Sequence, residues 1–175
     1  VFGGEMGSLA EYVCANETRP VVLKPANLTF EQAASIPIAG ITALQALRDS
    51  GQIKAGQKVL INGASGGVGT FAVQLAKWFG ADVTGVCSTR NIELVRSLGA
   101  DRVIDYTKED FTKGEARYDI VIDNVANRSL LEFRRILNPK GKYVLVGGGG
   151  VNDGRWAGPL IRPLKALLLS KLVSQ

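Results

Sequence analysis

The residues with the clearest capacity for chemistry are the eight at 62–69, Asn-Gly-Ala-Ser-Gly-Gly-Val-Gly. They follow an apolar run at 59–62 and open a helix-forming stretch at 67–79. Small residues at such a place let the backbone turn tightly, approach an anion closely and pack the helix on the strand. The free amides of the helix's first turn then face negative charge. Ser65, Gly66, Gly67 and Val68 are therefore expected to hold a pyrophosphate.

The glycine string fits two spacings. Read as Ala64-x-Gly66-x-x-Gly69, it is the dinucleotide fingerprint with alanine in the first glycine position. Read as Gly63-x-x-x-Gly67-x-Gly69, it resembles the short-chain dehydrogenase pattern, which implies a Tyr-x-x-x-Lys pair. None of Tyr12, Tyr106, Tyr118 or Tyr143 has lysine four residues later, so that reading is set aside. A second test lies roughly 20 residues on, where an acid would bind the adenosine ribose of NAD. Here stand Ser88, Thr89 and Arg90. A carboxylate would repel a 2′-phosphate, whereas hydroxyls donate to it and a guanidinium clamps it. Ser88 and Arg90 thus point to NADP(H) rather than NAD. A methyltransferase, which also uses a parallel sheet and a glycine loop, normally carries an acid at this position, so Ser88 argues against one.

The elements that must position these residues alternate through 58–148. Strands are expected at 59–62, 82–87, 102–104, 120–123 and 142–146. Helices are expected at 67–79, 91–98 and 129–137, the last ended by Asn138-Pro139. This alternation predicts an α/β fold with a doubly wound parallel sheet. A further helix is expected at 30–50, with Thr29 and Gln32 forming a capping box and Pro37 kinking or interrupting it. The ends differ. Two strand-like pieces, at 9–13 and 21–23, have no helix between them, and Leu160, Leu164, Leu167 and Leu168 form a helical stripe before the end. With no methionine at position 1, the chain reads as a piece of a longer protein.

Composition narrows the function. Histidine is absent, which removes the commonest general base, the Ser-His-Asp triad and imidazole zinc sites. Cys14 and Cys87 lie far apart in sequence and form no metal-ligand pair; they suggest a reducing compartment, with a single disulfide as the alternative. The net charge of +5 is spread singly among acids, so no nucleic-acid footprint is expected. No apolar run approaches the roughly 20 residues of a membrane span, so no membrane partner is expected and a cytoplasmic location is the default.

The ordered segments 7–13, 28–47, 56–69, 87–106, 118–125 and 141–148 resemble the zinc-independent quinone oxidoreductase branch of the medium-chain dehydrogenase/reductase superfamily. The resemblance implies a Rossmann-type domain at 28–175, truncated near its sixth strand, and at 1–27 a β remnant of a chaperonin-10-like barrel domain. In zinc alcohol dehydrogenases of the superfamily, a cysteine ligand sits four residues before a threonine. Here Thr42 matches the threonine and Ile38 the ligand, so no metal is implied. Thr42 is then expected beside the nicotinamide, Tyr106 near the 2′-phosphate or adenine with core packing as its alternative, Asn124 and Val125 at the nicotinamide ribose, and Gly147 near the carboxamide. Tyr12 is expected to pack in the barrel remnant, and the resemblance also implies a homodimer through the sheet edge.

The implied activity is NADPH-dependent hydride transfer to a quinone or an α,β-unsaturated carbonyl, with no catalytic acid named. The alternatives are an NADP-binding fragment without turnover and a non-catalytic interaction protein.

Overall fold

The computed structural model describes residues 22–147 together with Tyr12, Cys14 and Thr18. Five strands form one parallel sheet in the order β3-β2-β1-β4-β5. They are β1 (Lys58–Asn62), β2 (Asp82–Cys87), β3 (Arg102–Asp105), β4 (Tyr118–Asp123) and β5 (Leu137–Leu145). The chain runs outward from β1 to β3 and then returns to the other side of β1 with β4. The strand order therefore reverses beside β1, where open α/β sheets bind ligands.

Side chains alternate across the sheet with the two-residue period of a strand. Val59, Ile61, Ile120 and Ile122 face one core, which also contains Ala43, Leu47, Ala72, Val73 and Val95. Leu60 and Val121 face the other, with Phe111, Phe133 and Ile136. Both faces are covered, which explains why the central strands read as continuous apolar runs. The helices are α1 (Phe30–Gln45), α2 (Gly67–Trp78), α3 (Ile92–Ser97) and α4 (Leu130–Ile136). Residues of α1, α2 and α3 supply the first core and residues of α4 the second.

The capping box expected at Thr29 is present. The Gln32 amide donates to Thr29 Oγ1 at 3.2 Å, and the Thr29 amide donates to Gln32 Oε1 at 3.0 Å. Ser129 and Glu132 form a second box at the start of α4. Of the two outcomes expected at Pro37, interruption does not occur, since α1 runs through it. The helical path then continues as a wider π-type turn at Ala46–Ser50, so the helical span of 30–50 is kept.

Three further expectations are corrected. Asn138-Pro139 does not lie between a helix and a strand but within β5, which begins at Leu137 rather than 142. Tyr118 pairs with Leu137 and Ile120 with Lys142, so the intervening residues of β5 bulge away from the ladder. Proline is tolerated there because β5 is the outermost described strand and the bulge needs no ladder bond from it. The strand-like piece at 21–23 is not a strand at Val22 and Leu23, which have no regular structure and are exposed. Of the piece at 9–13 only Tyr12 is described, and it is 90% exposed rather than packed. The leucine stripe at 160–168 lies outside the described residues.

Candidate functional site

The ends of β1, β2, β3 and β4 open onto a cavity of about 560 Å³, within the size range of small-molecule sites. Its floor is the turn after β1. The amides of Gly63 and Ala64 both donate to the Val86 carbonyl, at 3.1 and 3.0 Å, and the Gly66 amide closes the turn onto the Gly63 carbonyl at 3.1 Å. Gly63 has φ +79°, and a Cβ on it would stand 2.7 Å from Val125 Cγ2. Gly69 is tighter still, since a Cβ there would lie 2.1 Å from the Gly63 carbonyl oxygen. Glycine at 69 thus lets the first turn of α2 press onto the loop. Gly66 caps α2 without a side-chain hydrogen bond, so no cap side chain takes the first-turn amides that face the cavity.

The structure brings together nine of the eleven residues singled out from sequence. Ser65, Gly66, Gly67 and Val68 line the cavity from the turn, Ser88 and Arg90 from beyond β2, Tyr106 from beyond β3, and Asn124 and Val125 from beyond β4. Tyr106 is 50% exposed, which removes the core-packing alternative. Thr42, on α1, and Gly147 do not line the cavity. Gly147 instead backs onto it, for a Cβ there would meet the Asn124 carbonyl oxygen at 2.8 Å.

Asn62, Asn91 and Asn127, which sequence reasoning missed, complete the walls around the expected Asn124. The Asn62 side chain donates to Asp123 Oδ1 at 2.9 Å and to Asn127 Oδ1 at 3.1 Å. Asn124 Nδ2 donates to the Asn62 carbonyl at 3.0 Å, which leaves its buried Oδ1 as an acceptor with no partner. Asn91 Nδ2 donates to the hydroxyls of Ser65 and Ser88. The only sequence signal for these asparagines was their place beside strand ends.

Among the described residues, no carboxylate lines the cavity. Arg90 is exposed and makes no ion pair among the described residues. Thr89 does not serve as a second hydroxyl beside Ser88, because it donates to Asp105 Oδ2 at 2.5 Å. That bond is the main reason the Asp105 carboxyl is held below its ordinary value; burial opposes it, and Thr107 assists through its hydroxyl and amide. Burial pushes the Cys87 thiol in the cavity wall up, with Asp105 adding to the effect, a shift that disfavours the thiolate form.

Residues 67–170 match the family model described as zinc-binding dehydrogenase. The chain belongs to that family. It falls in the quinone oxidoreductase-like branch of the medium-chain dehydrogenase/reductases. It is 45% identical to the chloroplastic NADPH-dependent alkenal/one oxidoreductase of Arabidopsis thaliana over 152 residues, covering 86% of this chain and 38% of that protein. The quinone oxidoreductase of Coxiella burnetii superposes with a TM-score of 0.63 at 39% identity, over 69% of this chain and 38% of the other. An NAD-dependent alcohol dehydrogenase superposes with a TM-score of 0.74 at 30% identity, over 90% of this chain and 48% of the other. The chain thus spans less than half the length of these zinc-binding dehydrogenase relatives. Despite the family's description, no group of three or more His, Cys, Asp or Glu among the described residues could hold a metal ion. Ile38 is 85% exposed on α1. No helix of the described residues is long and apolar enough to cross a membrane.

Proposed function

We propose that this chain is the NADP-binding part of an oxidoreductase that moves hydride from NADPH to a quinone or an α,β-unsaturated carbonyl without zinc. The relatives' quinone, alkenal/one and enoyl reductase names support the substrate class. Ile38, at the position matched to the cysteine ligand, cannot coordinate zinc and supports the metal-free reaction.

The residues fit a dinucleotide. The cramped glycines and uncapped first turn of α2 suit a pyrophosphate, and the unpartnered Asn124 Oδ1 suits a hydroxyl or amide donor of the nicotinamide end. NADPH when bound supplies the hydride; the chain supplies binding, orientation and electrostatics. In this reading Ser65 to Val68 take the pyrophosphate, Ser88, Arg90 and Tyr106 the 2′-phosphate end, and Asn124 and Val125 the ribose. Thr42 and Gly147 belong to the nicotinamide end.

The choice of NADP over NAD rests on one observation, a cavity wall that, among the described residues, has no carboxylate and has the Arg90 guanidinium without an ion-pair partner beside Ser88. Arg90→Ala is expected to weaken NADPH binding about tenfold or more and NADH only slightly, measured by fluorescence titration. Equal losses would sink the assignment. Turnover is tested with NADPH and a panel of quinones and enones; binding without oxidation of NADPH by any of them would favour the non-catalytic reading.

The division into 1–27 and 28–175 belongs to the same proposal. Phe30, Ile38 and Ile41 expose apolar side chains along α1, which suits a covering barrel domain. A homodimer through the β5 edge is part of it too, testable by light scattering. So is a cytoplasmic location, which the free thiols of Cys14 and Cys87 support and cell fractionation would test.

A further inference from the structure

The glycine turn and the end of β2 are separate walls of the cavity, and one side chain joins them. Asn91 Nδ2 donates to Ser65 Oγ at 3.0 Å and to Ser88 Oγ at 3.3 Å, and all three residues line the cavity. A serine hydroxyl carries one proton and two lone pairs. Asn91 fills a lone pair on each oxygen, and no acceptor among the described residues takes either hydroxyl proton. Each proton is therefore left for a ligand, in a wall to which the described residues bring no carboxylate.

We propose that Asn91 is a positioning residue that sets the Ser65 and Ser88 hydroxyls as donors to two separate anionic groups of one ligand, a pyrophosphate at the turn and a 2′-phosphate at the end of β2. This rests on the NADP reading above and deepens it. The bridge makes binding at the two walls interdependent: loss of one amide disorders two hydroxyls that address different phosphates.

The arrangement has a signature that a purely structural asparagine lacks, because NADPH and NADH share the pyrophosphate and differ only in the 2′-phosphate. Dissociation constants of both dinucleotides are measured by fluorescence on the 175-residue chain, with thermal midpoints alongside. Ser65→Ala is expected to weaken both about threefold, and Ser88→Ala to weaken NADPH alone by about the same factor. Asn91→Leu should weaken NADH by about the Ser65 factor and NADPH by about the product of the two, near tenfold. In the Asn91→Leu background each alanine change should then cost less than in the wild type. Asn91→Ala gives the same readout if leucine perturbs folding.

Equal losses of NADPH and NADH in the Asn91 variants, unchanged binding, or full additivity with the serine changes would each overturn the proposal. Failure of the underlying reading looks different. A wild-type chain that binds NADH as tightly as NADPH overturns the 2′-phosphate role of both Ser88 and Arg90. One that binds neither overturns both inferences.

Discussion

Asp105 and Asp123 occupy matching places in the sheet, each the last residue of a parallel strand whose end abuts the cavity, yet neither lines it. Their surroundings differ. Asp123, on central β4, is fully buried and accepts from three segments: Asn62 Nδ2 of β1 at 2.9 Å, the amides of Val125 and Ala126 at 3.2 and 2.9 Å, and the Tyr143 hydroxyl of β5 at 2.7 Å. Asp105, on edge strand β3, is 7% exposed and accepts from Thr89 beyond β2 and from its near neighbour Thr107. The central carboxyl therefore ties strand to strand, while the edge carboxyl ties one loop to the next. Neither brings its carboxylate into the cavity lining, although both bond to segments at the strand ends around it. Ala126, in the left-handed region at φ +58°, is kept there partly by its bond to Asp123.

The strongest way to break the comparison is Asp123→Ala. It takes from the Asn62 amide one of its two acceptors, Asn127 remaining, takes from the Tyr143 hydroxyl its bond to Asp123, and removes the bonds that shape the turn at 124–126. With each unsatisfied buried donor costing about 1–3 kcal/mol, the expected loss is about 4 kcal/mol, read as a fall in the urea midpoint at unchanged slope. A loss below about 1 kcal/mol would mean that Asp123 is not what joins these strands. Tyr143→Phe sharpens the same point by removing a single donor from β5. It should cost about 1 kcal/mol, since the other donors to Asp123 remain.

These two carboxyls also mark where the sequence was legible and where it was not. The parallel α/β order, the capping box at Thr29 and the glycine turn were readable because each follows from local spacing: two-residue alternation, Thr-x-x-Gln, and small residues between a strand and a helix. Nine of the residues singled out could be placed around one cavity because a strand end in such a sheet is itself a positional signal. The Asp123 network was not, because Asn62 lies 61 residues away and meets it only when β4 inserts beside β1. Thr89 looked like a ligand donor until the neighbouring strand end supplied Asp105 as its acceptor. Asn138-Pro139 does follow the end of α4 at Ile136, but its place within β5 was not legible because edge position and bulging are properties of the sheet, not of the dipeptide.

The smallest effect is a pH dependence confined to the edge carboxyl. Asp105 is held below the ordinary aspartate value, first by the Thr89 hydroxyl, then by the Thr107 hydroxyl and amide and the nearby Lys108, against an opposing contribution from burial. An acid depressed on folding releases its proton more readily in the native state. Its stabilisation is therefore complete above the unfolded value of about 3.9 and is lost as pH falls through the lower folded one. Asp101 and Asp110 are depressed as well, so the acid limb of the wild-type chain does not isolate Asp105. The difference between wild type and Asp105→Asn does. That difference in thermal midpoint should stay level from about pH 7 to pH 5 and narrow below about pH 4, as protonation takes away from the wild type what the substitution has already removed. A gap that stays constant down to pH 3 would show that the Thr89 contact does not depend on the charge of Asp105, and would erase the electrostatic half of the contrast with Asp123.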